Sequence, residues 1–295
     1  MEAILDWLAA NQISILNGIA RGLLLFLVAS GLSLIFGLMD VLNLAHGAVF
    51  LLGAYLAFQV APGGEAFLLA AAVAVVAGLA FGGLLNAAVT PVAKRGHLAQ
   101  VLVTLGLTFV FRDVARLIWG TQPRGVRPPA FLQGSTEIFG QFFPIYRLAV
   151  IVFGLVVAAG IYVVFSRTNF GAVVRAMVTD AEMVAAMGIN TKRVQLAVYC
   201  IGSGLAALGG MLAAPLVSIA PGLDDEFLMF ALIIVIVGGL GSLAGAFVAA
   251  LLVGQVQTTL TAAVPEVAGF LLFGTMAFIL LVRPQGLFGK VSRAH

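Results

Sequence analysis

The sequence predicts an all-α, polytopic membrane protein with about 8–10 transmembrane helices, some of them broken or short. Three observations lead there. First, 62% of the 295 residues are hydrophobic and only 9% are charged, against roughly 45–50% and 25% in ordinary soluble domains. Second, apolar stretches near the roughly 20 residues needed to cross the hydrocarbon layer recur along the whole chain. Third, 35 glycines are spread through those stretches, a usage that suits close helix packing in lipid.

In chain order the apolar segments fall at 13–38, 44–60, 66–90, 98–119, 146–165, 195–215, 227–240, 242–262 and 268–282. Two interruptions stand out, Asp40 to Gly47 and Gly238 to Gly245. Each fits either a tight turn at the membrane surface or a break within one spanning element. The first span is expected to be retained, because MEAILDWLAANQ carries two acids and lacks the basic residues of a cleavable leader.

Positive charge sets the expected orientation. Lys94 and Arg95, then Arg167, Arg175, Lys192 and Arg193, then Arg283, Lys290 and Arg293 all fall on one side if the segments alternate. That side should be the cytoplasm, with the N-terminus outside and the C-terminus inside. The opposite side is mainly acidic, and Arg112 and Asp113 are expected to snorkel at its interface. The net charge of +3 gives no reason to invoke nucleic acid.

Several chemistries are disfavoured. His46, His97 and His295 are scattered without metal-ligand spacing. The tail QGLFGKVS lacks a phosphate-loop pattern because Pro284 stands where its first glycine would be. Cys200 is the lone cysteine, so an internal disulfide cannot form. No span carries an arginine ladder or facing carboxylates, which argues against a voltage sensor or proton relay. The residues assemble no nucleophile, base and orienting group, so a non-enzyme is expected.

The connection 166–195, SRTNFGAVVRAMVTDAEMVAAMGINTKRVQ, is the most informative stretch. Long ordered connections tend to be functional. Thr179, Asp180, Ala181 and Glu182 fit a capping box, with the Thr179 hydroxyl meeting the Glu182 N–H. Gly188 suits the left-handed position past a helix end. A helix over about 180–187 follows, too short to persist without docking. Ala181, Ala185 and Ala186, with Met183, Val184 and Met187, offer a close-packing surface with adaptable methionines. Two roles remain open at this point: gripping by a cytosolic partner, or lying against the protein's own membrane face.

The run from Thr168 to Leu216, TNFGAVVRAMVTDAEMVAAMGINTKRVQLAVYCIGSGLAALGGMLAAPL, resembles the cytoplasmic loop and next span of permease subunits of bacterial branched-chain amino acid ABC transporters. The resemblance extends to GLSLIFGLMDVLNLAHGAVFLLGAY at 31–55, VIVGGLGSLAGAFVAALLVG at 235–254 and RPQGLFG at 283–289. It implies one transmembrane permease domain over 1–295, with 166–195 as a cytoplasmic loop carrying a coupling helix. The coupling residues would be Thr179, Asp180, Glu182, Met183, Ala185, Ala186, Gly188, Ile189 and Asn190. It further implies a second permease subunit, similar or identical, two cytosolic ABC ATPases holding ATP and Mg, and an extracytoplasmic solute-binding protein. No cofactor would bind this chain itself. Import of branched-chain or related aliphatic amino acids across a bacterial inner membrane is the expected activity. Urea, short amides or sugars are alternative cargoes, and a stand-alone carrier or channel is a different class.

Three smaller sets complete the candidates. Asn43, His46 and Gly47 place polar groups in an apolar run, which fits a translocation path or gate, or an interfacial turn capped by Asp40 and Asn43. Gly238, Gly239, Gly241 and Gly245 are expected to serve helix packing. Asp224, Asp225 and Glu226 fit docking of a binding protein, or an acidic loop kept soluble.

Overall fold

The computed structural model describes residues 2–39, 43–138, 140–283 and 285–288. Asp40, Pro284, Lys290, Arg293 and His295 lie outside the described residues. Eleven α-helices dominate: α1 (Glu2–Met39), α2 (His46–Val60), α3 (Phe67–Val89), α4 (His97–Trp119), α5 (Ile145–Arg167), α6 (Asn169–Thr179), α7 (Ala181–Ala186), α8 (Thr191–Ala213), α9 (Leu223–Gly238), α10 (Leu243–Ala263) and α11 (Ala268–Val282). Each of the nine apolar segments contains one helix, and α6 and α7 occupy the long connection between the fifth and sixth.

Among the described residues, five helices are long and apolar enough to cross a bilayer, within α1, α3, α5, α8 and α10. The protein is a multi-pass membrane protein. α2 and α9 have 15 and 16 residues, about 22–24 Å of helix against a hydrocarbon thickness of about 30 Å. They are the short elements that the interruptions foreshadow.

Helix α1 is the axis of the bundle and packs on α10, α8, α9 and α5. Small residues permit the approach: Gly18 and Gly22 of α1 lie against Gln255, Ala250 and Leu251 of α10, and Gly31 lies against Gly202 of α8. On the other side of α8, Gly78 and Gly82 of α3 meet Ser203, Tyr199 and Cys200. Helix α2 is largely buried, packed on α8, α3, α9 and α4. Large apolar side chains of α3, α4, α5 and α11, such as Leu68, Leu102, Val156 and Phe270, point outward. This inversion of the soluble pattern is what a lipid or partner-subunit surface requires.

At one end of the bundle, the connections 61–66, 120–134 and 214–222 meet. Arg124 and Ile219 exchange backbone hydrogen bonds of 2.8 Å each, and the Arg127 N–H donates to the Pro62 carbonyl at 3.0 Å. The same end carries a small antiparallel hairpin, β1 (Ser135–Ile138) with β2 (Gln141–Pro144), between the fourth and fifth apolar segments. The opposite end holds α6, α7 and the turn between α9 and α10.

Candidate coupling surface and buried polar groups

The 166–195 connection folds as two helices rather than one. Thr168 accepts from the Gly171 N–H at 3.3 Å and so caps α6. Gly171, Val174 and Met177 face inward at helical spacing. Gly171 packs on the backbone of Phe165, and the Arg175 guanidinium donates to the Phe165 carbonyl. Helix α6 is therefore bent back onto the end of α5.

Helix α7 begins at Asp180, whose backbone is extended (φ −157°, ψ 95°) and whose Oδ1 accepts from the Met183 N–H at 2.9 Å. This corrects the expected capping box. Thr179 is the last residue of α6 and donates to the Arg175 carbonyl at 3.2 Å, so its hydroxyl is engaged one turn back and the aspartate takes the capping role. Gly188 has φ 83°, the left-handed conformation that ends a helix at little steric cost. Asn190 then caps α8 by accepting from the Arg193 N–H at 3.1 Å.

Only Val184 of α7 is buried. Val178, Met183 and Met187 are 54%, 60% and 73% exposed, beside exposed Glu182, Ala185, Ala186 and Gly188. An apolar patch held on a fixed stub beyond the helix bundle has the character of a protein contact. Arg167, Arg175, Lys192 and Arg193, on the adjoining helices α5, α6 and α8, are all exposed.

Asn43, His46 and Gly47 stand deep in the bundle. The Leu44 N–H donates to Thr104 Oγ1 at 3.3 Å, two turns into α4. His46 Nε2 is 2.9 Å from the Val28 carbonyl of α1, about 16 Å from the end of that helix at 1.5 Å per residue. The interruption is thus a break inside the bundle and not a turn at its surface. Among the described residues 43–46, the Ala45 N–H donates to Asn43 Oδ1 at 3.1 Å and the His46 N–H to the Asn43 carbonyl at 3.2 Å, the internal satisfaction that non-helical chain at membrane depth demands. Asn43 and His46 are 2% and 0% exposed. Within the single chain these side chains are enclosed.

The glycine interruption forms a tight turn. Gly239 and Gly241 have φ of 100° and 76°. Gly238 lies against Gly245, and Gly241 against Gly37 of α1. Ser242 caps α10 by accepting from the Gly245 N–H at 3.0 Å. The segment after α11 closes over this turn: the Leu287 N–H donates to Val237 at 2.7 Å and the Phe288 N–H to Gly238 at 3.1 Å.

The acidic triplet is divided in its roles. Asp224 is 1% exposed; its Oδ2 accepts from Arg112 Nε at 2.9 Å and Nη2 at 2.5 Å, while its Oδ1 accepts from the Gly222 N–H at 3.0 Å. Arg112 also reaches Asp225 at 2.5 Å. This corrects two expectations. Arg112 turns inward to a carboxylate instead of snorkelling, and Asp224 is no free acid for a partner. Asp225 and Glu226 remain exposed. The sequence concealed the pairing because its partners are 112 positions apart; the signal that could have found it was an ionisable residue inside a span. No group of three or more metal-ligating side chains occurs among the described residues.

With the geometry in place, comparison with known proteins is decisive. The family "Branched-chain amino acid transport system / permease component" matches residues 14–280. The chain belongs to that family. Among relatives of this permease, the high-affinity branched-chain amino acid transport system permease protein LivH of Salmonella typhimurium is 27% identical, over 93% of this chain and 94% of its own. BraD of Pseudomonas aeruginosa, described as the corresponding permease protein, is 26% identical over 94% and 95%. Among solved structures, PsaBC from Streptococcus pneumoniae in complex with Fab superposes with a TM-score of 0.51 over 96% of this chain and 95% of that one. At 11% identity that likeness concerns the fold alone. The permease family comprises transport subunits rather than enzymes.

Proposed function

We propose that this permease is the membrane-spanning subunit of an ATP-binding cassette importer in a bacterial plasma membrane. It moves branched-chain or related aliphatic amino acids inward, powered by ATP hydrolysed in two partner ATPases. A second permease subunit completes the pathway, and an extracytoplasmic binding protein delivers the solute. The N-terminus lies outside, and the C-terminus lies with α6 and α7 in the cytoplasm. The carrying observation is the α6–α7 stub: a capped, glycine-terminated helix presenting Met183, Ala185, Ala186 and Met187 beyond the bundle, joined rigidly to α5 and α8. A partner seated there would transmit its movement into both helices. The family membership and the names of the relatives support the cargo.

The test is co-purification of the ATPases with the wild type, Glu182→Arg and Gly188→Trp, together with ATP-dependent leucine uptake. Loss of association with an intact, membrane-inserted permease is expected for both variants. Full association and uptake in both would remove the coupling role from α7.

A further inference from the structure

A second polar constellation lies at the opposite end of the bundle, where α1, α5, α9 and α10 converge. Arg21 Nε donates to Gln257 Oε1 of α10 at 2.7 Å. Its Nη2 stands 3.8 Å from Glu226 Oε1 of α9, and its guanidinium carbon lies 5.9 Å from the centre of the Phe230 ring. One helical turn further out, Arg147 of α5 donates to Asn17 of α1. Two residues further in, Leu23 packs on Gly154 of α5. Arg21 therefore sits below the first turn of α5, within the depth of the apolar helices.

Contact geometry separates this cluster from its neighbour. Arg112 is held at 2.5 Å by both Asp224 and Asp225. Arg21 faces Glu226 at 3.8 Å, and Arg147 is held on Asn17. Over the two adjoining clusters three arginines meet three carboxylates, and the Arg21–Glu226 contact is longer than either contact of Arg112. Yet the cluster is not sealed: the side chains of Arg21 and Glu226 are 41% and 52% exposed. Charged groups at this depth face water or a partner rather than lipid. The Arg21–Glu226 separation of 3.8 Å is also too long for a hydrogen bond, so both groups retain capacity for a third party.

We infer that Arg21 and Glu226, braced by Gln257 and flanked by Arg147, form a recognition point for a zwitterionic α-amino acid at the outer mouth of the permease. The site rests on the transport reading above and specifies where that reading meets the solute. The α-carboxylate accepts charge-assisted hydrogen bonds from the Arg21 guanidinium. Glu226 accepts from the α-ammonium. Met229, 47% exposed and one turn further along α9, supplies an adaptable apolar surface for the aliphatic side chain. A neutral solute such as urea or a sugar would offer neither a carboxylate to Arg21 nor an ammonium to Glu226.

The experiment uses the complete transporter, with both permeases, ATPases and binding protein, in cells lacking other leucine uptake. Radiolabelled leucine is the probe. Arg21→Gln should lower uptake roughly tenfold, the loss that removal of one charge-assisted hydrogen bond produces, with subunit assembly as in the wild type. Arg21→Lys should recover a substantial part of it. The exchange Arg21→Glu with Glu226→Arg should not, because a reversed pair presents the wrong charge to each end of the solute. Wild-type uptake by Arg21→Gln would overturn the site and leave the transport reading standing. Full recovery by the exchange would also overturn it, showing a purely structural ion pair. Should Arg21→Gln fail to assemble, Glu226→Gln decides: reduced uptake in an assembled complex supports the site, and unchanged uptake overturns it. A wild-type complex that does not take up leucine would remove the transport reading and the site together.

Discussion

Two aspartates stand at helix beginnings in this permease, and their surroundings differ in nearly every respect. Asp180 caps α7 in the open, through one hydrogen bond to the Met183 N–H. Asp224 opens α9 from a buried position and binds Arg112 through two hydrogen bonds while also accepting from Gly222. The first is a local device whose strength is limited by water competing for the same groups. The second carries tertiary structure, because it joins α4 to α9 through a buried carboxylate that water does not reach. The same residue type thus marks a surface for association in one place and an internal tie in the other.

The sharpest way to break the comparison is Asp224→Ala. It leaves Arg112 without its buried partner, and the expected loss is about 3–5 kcal/mol of stability. Thermal unfolding of the purified permease in detergent would register it, and an unchanged midpoint would mean that the two aspartates are equivalent after all. Replacing both partners, Arg112→Met with Asp224→Leu, should restore most of that loss, because no buried lone charge remains and Asp225 is exposed to water. Asp180→Ala should cost about 1 kcal/mol, the usual value of a helix cap, and confined to α7. Amide exchange over 181–187 should quicken several-fold there, with the bundle helices unaffected. The smallest effect is expected for Thr179→Val. Exchange in α7 should remain near wild type, whereas an effect as large as that of Asp180→Ala would restore the threonine as the cap.

The helical architecture was legible because hydrophobic segments dominate the chain, and all nine coincide with helices. The interruption around Asn43 was legible as a location but not as a depth. Depth depends on Thr104 and Val28, which approach only after folding. Helix α6 escaped because Arg175 and the polar residues around it read as loop, although Gly171, Val174 and Met177 repeat at helical spacing. The capping error followed from that omission: with α6 unseen, Thr179 was available as a first residue when it is a last one. Arg112 was misread for a related reason. Its position alone favoured an interfacial cation, and its inward partner belongs to a distant part of the chain.

The clasp formed by Leu287 and Phe288 bears on how the permease moves. By occupying the terminal carbonyls of α9, it bridges the reversal into α10 from outside and stiffens a junction that three glycines would otherwise leave pliable. Helices α9 and α10 should then travel as a unit during each transport cycle, with bending relegated to joints elsewhere. Trimming the chain before position 285 would unlock that junction and turn a strut into a hinge.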